Sequence, residues 1–127
     1  MRWIVQPAIM TLQAWSRRAE ITCDRAGLIA AGDVRTALSS MVKVGLGLER
    51  GAQFNLDEYL ATPPGDKAGL GRFAEVFRGQ PYLPKRTTAL RWFADGALYA
   101  ALSGGDPAGK PATADVDKRV ADLISVF

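Results

Sequence analysis

The chain has 127 residues, 48% hydrophobic, 23% charged and 9% aromatic, which is the stock of about one globular domain and excludes a wholly disordered or fibrous chain. Lys and Arg number 16 against 13 Asp and Glu, a net charge of +3, far from the footprint of a nucleic-acid binder. There is no histidine and one cysteine, which excludes a Ser-His-Asp triad, a zinc site made from the chain's own His and Cys, and an internal disulfide.

The longest apolar stretch covers residues 3–15. It falls short of the about 20 residues a membrane-spanning helix needs. It also lacks the pattern of a secretory leader, because Arg17-Arg18 stands where a small-residue cleavage site belongs. It reads either as a core-facing first helix or as an interfacial segment. In the second reading Trp3 and Trp15 are amphipathic anchors, and Arg17 and Arg18 lie near phosphate head groups.

The rest of the chain reads as helices. Pro7 suits a first helical position, and the pattern then runs to Ala31 with Gly32 as the left-handed residue after it. Asp33 caps a second helix with Val34, Leu38, Met41 and Val42 on its apolar face, which Gly45, Gly47 and Gly51 break up. Asn55-Leu56-Asp57-Glu58 has the capping-box pattern of a short helix ended by Pro63-Pro64-Gly65. Residues 68–78 are expected to form a further helix carrying Leu70, Phe73, Val76 and Phe77. Gln80-Pro81-Tyr82-Leu83-Pro84 is expected to be extended, since each proline restricts the residue before it. One long helix follows over residues 85–102, with Leu90, Phe93, Ala94, Ala97, Leu98 and Ala101 as its stripe. Residues 103–112 are a turn-rich linker. The last helix starts near Thr113, holds Asp115 and Asp117 in its first turn, and presents Val116, Val120, Leu123, Ile124 and Phe127. The expected fold is all-α: five or six helices in one domain over residues 1–127, with residues 1–11 as a docking segment.

Few residues carry chemistry. Glu20 and Asp24 share one face of the first helix with Arg17 and Gln13, and Trp15, Ala19, Thr22, Cys23 and Ala26 form the opposite stripe. The carboxylates suit metal ligation or acid–base work, or else a solvated face with an Arg17–Glu20 ion pair. Cys23 has no histidine to activate it and reads as a small core residue. Lys85, Arg86 and Arg91 lack interleaved stacking aromatics, so no nucleic-acid partner is expected. Gly45-Leu46-Gly47-Leu48-Glu49-Arg50-Gly51 lacks the strand and the Lys-Ser/Thr of a phosphate-binding loop.

Residues 14–28, with Glu20, Asp24 and Arg25 in an E-x-x-x-D-R run, resemble the second signature of the HtpX-like (CAAX prenyl protease-like) membrane-associated zinc metallopeptidases. Gln80-Pro81-Tyr82-Leu83-Pro84-Lys85-Arg86, followed by Ala89-Leu90-Arg91-Trp92-Phe93-Ala94 and Tyr99, is similar to a segment near the C-terminus of bacterial members. Residues 115–124 fit their closing helix. The resemblance implies Glu20 at the third zinc-ligand position and Asp24, with Arg25 beside it, in support of the histidine motif. The chain departs from the family in having no H-E-x-x-H and in carrying Gln80 where the family has histidine.

Two functions follow from the resemblance. One is a non-catalytic, metallopeptidase-derived module that acts as a bound subunit or adaptor, peripheral on the cytoplasmic side of a membrane. Its partner is a protein, a membrane complex or the membrane surface, and it docks through Trp3, Ile4, Ile9, Trp15, Arg17 and Arg18. The other is the C-terminal piece of an active enzyme whose H-E-x-x-H lies outside this chain. No cofactor is expected in the chain alone, and zinc enters only if a histidine motif is supplied from elsewhere.

Overall fold

Among the residues described by the computed structural model, 2–45, 47, 55–61 and 82–125, six α-helices and no strand make up the regular structure. The all-α expectation therefore holds. α1 (Arg2–Ala31) begins before Pro7, which lies inside it and does not start it. Pro7 lacks the N–H that would reach the Trp3 carbonyl, but Trp3 is 89% exposed, so the lost helical bond costs little there. At the other end Gly32 takes the left-handed φ of 71° and its N–H closes on the Leu28 carbonyl at 3.0 Å.

α1 is covered unevenly. Residues 2–13 are exposed apart from half-buried Met10, whereas Ile21 and Leu28 are buried. A docking segment that ended at residue 11 would let packing begin at Leu12, yet Leu12 is 65% exposed. Among the described residues the fold grips α1 from about Arg17, which is held at the Ile124 carbonyl and the Tyr82 ring.

α2 (Val34–Gly45) starts at the expected cap. Asp33 Oδ2 accepts the Thr36 backbone N–H at 2.8 Å and the Thr36 hydroxyl at 2.7 Å. These bonds, the hydroxyl's first, hold the Asp33 carboxyl below its ordinary value of 3.8. A group whose folded pKa is depressed adds stability above its unfolded pKa, and loses it as pH falls through the folded value. Asp33→Ala should therefore melt below the wild type at neutral pH. The gap should close as the protein is acidified below about pH 4, and thermal melts across that range check it. A gap of constant size into acid would contradict the assignment.

α3 (Leu56–Ala61) is capped by Asn55, whose Oδ1 accepts the Glu58 N–H at 3.2 Å. Asp57 ties it to α2 through two hydrogen bonds from Arg35 at 2.7 and 2.8 Å. The stop expected at Pro63-Pro64-Gly65, the helix over residues 68–78, Gln80, Pro81 and Phe127 lie outside the described residues.

The segment expected to be extended is already helical at Leu83, where α4 (Leu83–Ala94) begins, with Tyr82 before it at φ −92° and ψ −8°. Pro84 sits in the first turn, where a missing N–H removes no helical bond. The single long helix expected over residues 85–102 is two. Gly96 is extended at φ −82° and ψ 163°, and α5 (Ala97–Leu102) restarts after it. Gly96 is also where neighbours close in: a Cβ there would stand 3.1 Å from the Phe93 carbonyl and 3.3 Å from a Val116 methyl. Residues 103–112 fold back so that the Pro111 carbonyl accepts the Ala97 N–H at 2.9 Å. α6 (Thr113–Ile124) then buries Val116, Val120 and Ile124, as expected from its spacing.

α4 is the hub and packs against α1, α2, α5 and α6. Its Ala89, Leu90 and Phe93 meet Ile21 and Leu28 of α1, Leu38 and Val42 of α2, and Val116, Val120 and Ile124 of α6 in one core. Among the described residues no helix is long and apolar enough to cross a membrane.

Candidate functional site

The later half of α1 holds the residues with the most chemistry, and α4 and α6 determine what each can do. Asp24 is one turn beyond Glu20 on the same face. Its side chain is only 9% exposed and Arg86 of α4, 27% exposed, lies against it. Arg86 donates Nε to Asp24 Oδ2 at 2.8 Å and Nη2 to Oδ1 at 2.7 Å. The paired geometry matches guanidinium to carboxylate, which gives each partly buried ion its counter-charge. It raises the Arg86 pKa further above its ordinary value, the Asp24 hydrogen bonds being the main cause. Both Asp24 oxygens are thus committed to Arg86.

Glu20 differs. It is exposed and makes no hydrogen bond or ion pair with another described residue. The Arg17–Glu20 pair does not form, because Arg17 turns to the fold. Arg17 donates to the Ile124 carbonyl at 3.3 Å, and its guanidinium lies 3.9 Å over the Tyr82 ring. Arg25 likewise serves packing. It reaches Asp117 Oδ1 of α6 at 2.7 Å and stacks 4.7 Å over Phe93, and its buried Nε has no partner.

Cys23, read from sequence as a core residue, is exposed. It stands on the uncovered side of α1, at the rim of an open cleft of about 350 Å³ that also touches Asp24, Met41, Val44, Arg86 and Leu90. Of the residues assigned to docking, Trp3, Ile4, Ile9, Trp15 and Arg18 are exposed and Arg17 is half-buried.

Among the described residues one carboxylate of α1 is thus left without a partner, beside a carboxylate locked by an arginine. Among the described residues no three His, Cys, Asp or Glu side chains converge on a point where a metal ion would sit. The donor set does not fit zinc by itself, since a stable site needs three or four good ligands. Sequence reasoning missed Arg86 as the partner of Asp24. The only signal was that both residues fall in the two segments that carry the family resemblance. No protein-family model matches the chain, and no curated protein or solved structure matches it.

Proposed function

We propose that the chain is a metallopeptidase-derived helical module that works bound to another polypeptide in a membrane-associated assembly. The observation that carries this reading is a second apolar stripe on α1. Ile4, Ala8, Leu12, Trp15, Ala19, Thr22, Ala26 and Ile29 recur every three or four residues without a charge, and all but half-buried Ala19 are exposed. A helix apolar on two sides belongs between two layers, and the described residues supply one. From Trp15 onward the stripe is mostly small, so a second helix could approach closely. A photo-cross-linker at Ala26 should yield one discrete protein adduct in native cells. Thr22→Glu should suppress that adduct without changing the melting temperature. Absence of any adduct would overturn the reading.

A second reading is favoured by Glu20: the C-terminal piece of an active metallopeptidase whose H-E-x-x-H comes from elsewhere. A carboxylate left uncommitted beside the locked Asp24–Arg86 pair is what that arrangement requires of this half. The purified chain should retain no stoichiometric zinc by elemental analysis, and one tightly held ion per chain would refute this. Once joined to a segment bearing H-E-x-x-H, it should retain zinc. Glu20→Gln should then release the metal while leaving the melting temperature of the isolated chain unchanged. An in-frame H-E-x-x-H in the genomic sequence upstream of the Met1 codon would decide for this reading over the adaptor.

A further inference from the structure

The first half of α1 is an arm, residues 2–16, that stands clear of the other described helices. We infer that this arm docks on the surface of an anionic lipid bilayer, an inference that rests on the membrane-associated reading above and names its lipid partner. Three features argue for it.

The first is charge. Arg2, Arg17 and Arg18 are the only charged residues before Glu20, so this end of the helix is cationic with no acid to offset it. Arg17 is held by Tyr82 and Ile124, which leaves Arg2 and Arg18, both exposed, for lipid phosphates. The second is the distribution around the helix. Arg2, Gln6, Gln13 and Arg17 fall at i, i+4, i+11 and i+15, so they form one narrow polar ridge. Most of the remaining circumference of the arm is apolar, and Arg18, just past the arm, follows Ile4 and Thr11 at intervals of seven on that apolar side. A helix of this kind lies in the interface with its polar ridge toward water, its tryptophans at head-group level and its arginines reaching up to phosphate.

The third feature is size. The arm is about 22 Å long and about 10 Å wide, a footprint of roughly 220 Å², so even with its side-chain relief one face of it offers a second copy only a few hundred Å². A stable protein interface buries about 800 Å² per partner. A bilayer has no such threshold, because it needs no matching surface and adds electrostatic attraction to apolar burial.

The test uses the full chain with vesicles of phosphatidylglycerol mixed into phosphatidylcholine, and with phosphatidylcholine vesicles alone. Binding is read by co-sedimentation, and insertion by quenching of tryptophan emission with brominated lipid. The chain should bind the anionic vesicles and be released by added salt. Replacing Arg2→Gln and Arg18→Gln together should weaken binding about 25-fold, about fivefold per charge. Trp3→Ala with Trp15→Ala should abolish the lipid-dependent quenching and leave Trp92 emission unaffected. Circular dichroism should show both variants folded, since none of these side chains is in the core. Equal binding to neutral vesicles, no binding to either, or self-association abolished by Leu12→Glu would each overturn the inference. The two proposals can fail separately. Loss of vesicle binding with the Ala26 adduct intact sinks the lipid partner alone, whereas vesicle binding with no adduct sinks the protein-bound module.

Discussion

Phe93→Ala should destabilise the fold by about 3–5 kcal/mol, the largest loss expected from any single side chain. Phe93 is 3% exposed, in the last turn of α4 and inside the core that α1, α2 and α6 share with it. The Arg25 guanidinium lies on one side of its ring, and the Tyr99 ring meets it at 6.0 Å between centroids and 57° between planes. Truncation would leave a cavity between α1, α4 and α6. It would also remove the surface that compensates Arg25 for partial burial. A domain of this size has about 5–15 kcal/mol in total, so the variant should unfold at a much lower urea concentration by circular dichroism. Leu98→Ala is the control. Leu98 falls on the same stripe by spacing but is 39% exposed because Gly96 breaks the helix, and its loss should cost about 0.5 kcal/mol. Equal losses at the two positions would contradict the two-helix arrangement.

Asp24→Ala should cost about 2–4 kcal/mol, somewhat less than full burial would give because Arg86 keeps partial access to water. Most of that is the penalty of leaving the guanidinium without its partner. Arg86→Ala alone should be comparable, and the double variant should fall well short of the sum. The Arg35–Asp57 pair has the same paired contacts but is open to solvent on both sides, and it should couple far more weakly. A double-mutant cycle on each pair checks both statements. Failure of the first would remove the reason for regarding the later half of α1 as a built site.

Where local chemistry decided the structure, the sequence was legible. Asp33 and Asn55 cap the helices they were expected to cap, and the spacing of Val116, Val120 and Ile124 matches the face that α6 buries. Where tertiary packing decided, it was not. The stripe from Leu90 to Ala101 continues in helical register across Asp95-Gly96, so no pattern marks the break; the close approach of Val116 to Gly96 does. Cys23 was misplaced because α1 is apolar on two sides, and periodicity alone does not say which side the chain itself covers. Of the candidate site, the positions of Glu20 and Asp24 on one face could be read from their spacing. The partner of Asp24, 62 residues away, could not, because no local rule connects residues on different helices.

The contacts of α1 with α6 also set an order of events during synthesis. Arg25 waits for Asp117 across 92 residues, and Arg17 waits for the Ile124 carbonyl across 107. At the usual ribosomal pace of about 5–20 residues per second, α1 is translated roughly 5–20 s before its last partner emerges. Through that interval both of its apolar sides lack their partners, and the outer one is not covered by the other described residues even afterward. The yield of folded protein should therefore depend on how long α1 stays exposed during synthesis, and not only on the stability of the finished bundle.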